Sequence, residues 1–158
     1  MTKRTWAPWR WVWSLLDGTT GHNHNGTDGN GAAVDIINDT TPELGGELKC
    51  GHHSIVFIMQ VESGDGTTTI DWTAGNKCSF LFGNTNETFT FTEPSNACNL
   101  LLLLKQDATG SRTATWPANV KWVGGTAPTL STAGNSIDII SFFFDTTNYY
   151  GVASLKFS

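Results

Sequence analysis

A chain of 158 residues has room for one domain and an appendage but not for two independent domains of ordinary size. Its net charge of −5 argues against nucleic acid as a partner of the body, because phosphate binding needs clustered Lys and Arg. Charged residues make up only 15%, against roughly 25% in ordinary soluble domains, so the surface is rich in hydroxyls and amides, as suits β-structure.

The first element is a basic, tryptophan-rich head, residues 1–16, in which Lys3, Arg4 and Arg10 interleave with Trp6, Trp9, Trp11 and Trp13 and are followed by Leu15 and Leu16. Pro8 and Arg10 interrupt its apolar run and no small-x-small cleavage site follows, so a secretory signal is not predicted. The longest apolar run, Leu100–Leu104, is far short of the roughly 18 residues that span a bilayer. Interleaved Trp and Arg also suit a membrane interface, a minor alternative to docking on protein. Residues 17–46 read as a linker rich in Gly, Asn and Thr, with Gly18, Gly21, Gly26, Gly29 and Gly31 favouring no particular path.

The linker carries His22 and His24. In an extended segment these point to one side, so three copies on a threefold axis would bring six imidazoles together, a donor set suited to iron or another transition metal. The alternative is that both are solvated without metal. The adjacent His52 and His53 would face opposite sides of a strand and share no ligand.

From Ser54 onward the period of two dominates. A first strand is expected over residues 54–61, apolar on both faces and hence covered on both, followed by strands at 67–72, 78–82, 88–92, 100–104, 113–116, 120–122, 137–144 and 149–157. Residues 88–92 alternate cleanly between Phe and Thr, and Asp145–Asn148 reads as a hairpin turn. Short strands at this spacing predict an all-β jelly-roll or sandwich over residues 47–158. No internal repeat suggests a solenoid. Apolar groups on both sides of 100–104 and 139–144 call for a second cover, and a trimer is the predicted one.

Cys50, Cys78 and Cys98 have no metal or redox spacing and are expected as reduced, at least partly buried thiols, one disulfide being the alternative. No nucleophile elbow, Ser-His-Asp grouping or phosphate loop occurs, and the scattered carboxylates suit turn capping, so no enzyme is predicted. Trp72, Trp122, Tyr149 and Tyr150 are candidates either for glycan stacking or for core packing.

The stretch Thr41-Pro-Glu-Leu-Gly-Gly-Glu-Leu48, continuing to Ile55, resembles a segment of bacteriophage virion fibre proteins, and residues 110–130 with 137–151 resemble their C-terminal β-domains. The resemblance implies an elongated homotrimer fixed to a virion by its N-terminus and displaying its C-terminal domain, and reduced thiols would fit assembly in the host bacterial cytoplasm. It also likens His22-Asn-His24 to iron-binding pairs on fibre axes. With so short a stalk, a head fibre, collar fibre or decoration protein is the expectation. Its anchors, Trp6, Trp9, Arg10, Trp11, Trp13, Leu15 and Leu16, would dock on capsid, portal, collar or tail protein. Adhesion to bacterial surface glycan is the expected display function; the alternatives are a freestanding carbohydrate-binding module and a virion-borne glycan hydrolase.

Overall fold

A computed structural model describes His52 and residues 54–157. The anchor, the linker, Cys50, His53 and the histidines at 22 and 24 lie outside the described residues. Nine strands follow one another: β1 (Gln60–Gly64), β2 (Thr67–Asp71), β3 (Lys77–Phe82), β4 (Glu87–Thr92), β5 (Cys98–Lys105), β6 (Ala114–Thr115), β7 (Val120–Trp122), β8 (Ile137–Phe144) and β9 (Tyr149–Phe157).

The chain is all-β, and its core lies between two sheets. β1, β3, β5, β8, β9 and β7 form a six-stranded sheet in that order, and β2, β4 and β6 form a three-stranded one. Consecutive strands up to β6 alternate between the sheets instead of pairing with each other. β1, β3 and β5 therefore run parallel, as do β2, β4 and β6. Gln60, Cys78 and Leu102 stand in line, as do Thr67, Thr88 and Thr115. Only β5–β8 and β8–β9 are antiparallel, while β7 joins β9 in parallel.

This pairing corrects the jelly-roll expectation, since a jelly roll is built of antiparallel Greek keys. The front of the domain is wound as a short two-sheet coil, closed by an antiparallel hairpin. The coil is tight where it turns: the Gly83 N–H donates to the Gly64 carbonyl at 2.7 Å, and a Cβ on Gly83 would meet that oxygen at 2.3 Å.

Alternation decides what each strand buries. Phe89 and Phe91 of β4 point inward while Thr88, Thr90 and Thr92 stay exposed. Thr69 and Thr90 share a hydrogen bond of 2.6 Å across the solvent face of the small sheet. On the large sheet, Phe80, Phe82, Leu102, Leu104, Ile140 and Phe144 are buried, and the aromatic rings of both sheets meet edge to face.

The first strand is shorter than predicted. β1 begins only at Gln60, and Ile55–Met59 is exposed and outside any strand. The apolar pattern there is strand-like, but Gln60 already pairs with Cys78, the second residue of β3, so in this register Ile55–Ile58 run past the start of that strand. Among the described residues, nothing covers the two faces of Ile55–Met59.

Cys78 and Cys98 are free thiols, as expected. Burial, reinforced by the Glu62 carboxylate, pushes the Cys78 thiol up to about 11. A thiol held protonated and enclosed is a poor nucleophile. Cys78 is expected to resist iodoacetamide at pH 8 in the native protein and to react promptly in urea, as read by peptide mass spectrometry.

Candidate functional site

The four aromatic residues singled out for glycan stacking separate into two kinds. Trp72 and Tyr149 are 3% and 0% exposed. Trp72 meets Phe91 edge-on at 5.6 Å, and Tyr149 stacks on Phe144 at 4.5 Å. Burial, with Glu93 and Cys98 nearby, raises the Tyr149 phenol well above its ordinary value. With their ring faces taken up by core neighbours, neither residue offers a platform to a ligand, and the packing alternative holds for both.

Trp122 and Tyr150 remain accessible, but on opposite faces of the sheet. Trp122 pairs with Gly151 and Lys121 with Tyr150, so adjacent positions point apart. Trp122 packs against Trp116 with centroids 5.1 Å apart and lies over Gly151, where a Cβ would come within 2.5 Å of the indole. It borders an open groove of about 400 Å³ shared with Val123, Pro128 and Leu155.

Tyr150 has a different aromatic neighbour. Asn99, Phe143, Tyr150 and Lys121 stand directly opposite one another on β5, β8, β9 and β7, and all four are exposed. The row is an aromatic pair flanked by an amide and an ammonium. A carboxylate completes it, because the Tyr150 hydroxyl donates to Asp145 Oδ2 at 3.0 Å. Asp145 is held by its own turn, its Oδ1 accepting the N–H groups of Thr147 at 2.9 Å and Asn148 at 2.7 Å. These N–H donors hold the Asp145 carboxyl below its ordinary range, and its charge raises the Tyr150 phenol. Apolar ring faces bounded by fixed hydrogen-bonding groups match the mixed surface of a sugar, with apolar C–H faces and a polar rim.

Phe143 was not among the predicted site residues. The signal for it lay in Ser141-Phe142-Phe143-Phe144, because a strand that buries Phe142 and Phe144 must turn Phe143 outward.

The carboxylates serve turns and loops. Asp71 accepts from the Thr73 hydroxyl and N–H, Glu87 from the Gly66 N–H, and Glu93 from Asn119. Asp107 accepts from the Arg112 guanidinium at 2.7 Å and from the Gly110 N–H. The Thr73 hydroxyl, the Arg112 guanidinium and the Asn148 N–H are the main groups lowering Asp71, Asp107 and Asp145 respectively. Their stabilising contributions are complete above the ordinary carboxylate range and are lost as the pH falls through the lowered values. Among the described residues, no group of three or more His, Cys, Asp or Glu side chains is placed to hold a metal ion, and no helix is long and apolar enough to cross a membrane.

Residues 72–149 match the family model described as "Putative phage tail fibre C-terminal domain". The match runs from Trp72 to the first residue of β9, through the aromatic core and up to the residue before Tyr150. It bears out the resemblance of this part of the chain to phage fibre proteins. No curated protein and no solved structure matches the chain.

Proposed function

We infer, from the phage tail-fibre domain that residues 72–149 match, that this chain is a non-enzymatic structural protein of a phage particle. In this reading it is a homotrimeric fibre or decoration protein, assembled in the bacterial cytoplasm and docked on capsid, collar or tail protein. The fibre-domain match is the observation that carries the reading. The head, residues 1–16, supplies the dock: four tryptophans and two leucines offer large rigid anchors, and Arg10 suits a polar rim. Deleting residues 2–16 should leave the β-domain folded by circular dichroism and abolish incorporation into particles. Incorporation of the shortened chain at normal occupancy would overturn the docking role.

The display function is adhesion to bacterial surface glycan through the Phe143–Tyr150 row. Its support is the exposed aromatic pair, with Asn99, Lys121 and Asp145 around it. Replacing Phe143 and Tyr150 together by alanine should weaken binding to purified bacterial surface polysaccharides at least about tenfold, the equivalent of one anchoring contact of about 1.4 kcal/mol. Unchanged binding, or polysaccharide shortened by the protein, would count against the row and favour another glycan site or a hydrolase.

A further inference from the structure

Every charged side chain that the strands of the six-stranded sheet turn outward is a lysine, although the chain as a whole carries a net charge of −5. Lys77, Lys105 and Lys121 each stand beside a buried neighbour on β3, β5 and β7, and so lie on the outer face. The two carboxylates of these strands point the other way. Asp138 is buried, and Glu62 stands opposite the buried Phe80. A sheet face without acid on an acidic protein draws anions to itself.

Lys77 borders a groove of about 450 Å³ whose walls include Asn76, Asn99, Leu101 and Ser141. The groove adjoins the aromatic row, because Asn99 belongs to both and Ser141 lies two residues before Phe143 on the same face of β8. Lys77 aligns with Leu101 and Ser141, so its Cα is two strands across and two residues along from that of Phe143, roughly 12 Å away. The ammonium lies 5.0 Å from the centroid of the Phe57 ring, and among the described residues it has no ion pair. An aromatic face holds a cation in place without neutralising it. Asp145 follows β8 and lies beyond Phe143, on the far side of the row from Lys77. Its oxygens already accept two backbone N–H groups and the Tyr150 hydroxyl.

We propose that the glycan held by the Phe143–Tyr150 row is anionic, its carboxylate or phosphate seated beside the Lys77 ammonium in this groove. The inference rests on the glycan-adhesion reading and names the class of glycan. A sugar stacked on the aromatic pair leaves the next one over Asn99 and Ser141, whose amide and hydroxyl suit ring hydroxyls. An acidic substituent on that sugar comes within reach of Lys77. A neutral polymer would fill the same groove but leave the ammonium without a counter-charge. The Asp145 carboxylate disfavours acid at the opposite end of the row, so the acidic sugar lies toward β3.

The test immobilises the full-length protein and measures binding of purified bacterial surface polysaccharides that are uronate-bearing, phosphate-bearing or neutral. An anionic polymer is expected to bind, and to lose at least about tenfold in affinity once its carboxyls are reduced to alcohols or its phosphate substituents removed. The two treatments tell carboxylate from phosphate. Lys77→Gln should cost a similar factor, and Lys77→Arg should keep most of the affinity. Lys105→Gln removes an equal charge from the same face, but four residues along β5 from Leu101, roughly 13 Å away and beyond the screening length of about 8 Å at physiological salt. It should change binding less than about twofold. Thermal melting by circular dichroism reports that each variant is folded. Neutral polymers bound as strongly, and still lost on replacing Phe143 and Tyr150 by alanine, would overturn the anionic class and leave the row standing. Equal losses from Lys77→Gln and Lys105→Gln would mean diffuse attraction by the whole face and overturn the groove. Binding of no polymer, or binding indifferent to both rings, would overturn the row and this inference with it.

Discussion

Phe142→Ala should cost about 3–5 kcal/mol, the range for deleting a fully enclosed phenyl ring, and lower the melting temperature by at least about 15 °C in a domain of this size. Phe142 is 2% exposed and lies where the sheets meet. Its centroid is 5.7 Å from Phe91, 5.9 Å from Trp122, 6.0 Å from both Trp116 and Tyr149, and 6.5 Å from Trp72. No single neighbour can move in to fill the space without leaving the others, so the cavity term stays large. Phe143→Ala is the control, because the next ring is half exposed on the opposite face and should cost no more than about 1 kcal/mol. A larger loss for Phe143 than for Phe142 would mean that β8 is turned over relative to the core.

Asp138→Ala should cost about 3 kcal/mol, seen as a lower urea midpoint with an unchanged slope. Asp138 is 2% exposed and tethers the loop before β8 to the end of β9. Its Oδ2 accepts the Ser131 N–H at 2.7 Å, and its Oδ1 accepts the Ser131 hydroxyl and the Lys156 N–H at 3.0 Å. The requirement for it comes from an irregularity in the ladder, since Ile137 pairs with Phe157 but Ile139 with Ser154, and Lys156 takes a positive φ of 68°. An extra residue in one strand leaves a backbone donor without its ladder partner, and the Asp138 carboxylate takes that donor. Asp138→Asn should fall between the two, because an amide keeps one acceptor oxygen but brings its own N–H groups against the donors. A loss below about 1 kcal/mol for alanine would show that the bridge contributes little.

The strands themselves were legible because each is written locally. Glu87–Thr92 reads Phe-in and Thr-out directly from its residues, and Asp145–Asn148 announces its turn with side chains that cap their own backbone. Partners are not written locally. The period of two says which side of a strand is apolar, but not whether the neighbour runs parallel or lies 18 residues away. The coil leaves no repeat in the sequence because its aligned positions are unevenly spaced: Gln60 to Cys78 is shorter than Cys78 to Leu102, and Thr67 to Thr88 shorter than Thr88 to Thr115. Loops of different length absorb the difference, so no fixed period marks the chain.

The same distinction explains the candidate site. Trp72 shares its parity with Ile70 and extends the buried side of β2, which speaks for the core. Tyr149 and Tyr150 are adjacent and chemically alike, so composition could not say which one faces out. Pairing of Phe144 with Tyr149 and of Phe143 with Tyr150 decided it, and the same register made Phe143 part of the row.

By itself the amino-acid order determined an all-β body, the positions of most of its strands, their inward and outward faces and a resemblance to phage fibre domains, because alternation and turn chemistry act between near neighbours. Only the tertiary structure decided that the strands wind as a parallel two-sheet coil, that Trp72 and Tyr149 are enclosed, and that the first described strand begins at Gln60 and leaves Ile55–Met59 outside it. Those outcomes depend on which distant segments share hydrogen bonds, and a residue's own neighbours in sequence carry no record of that choice.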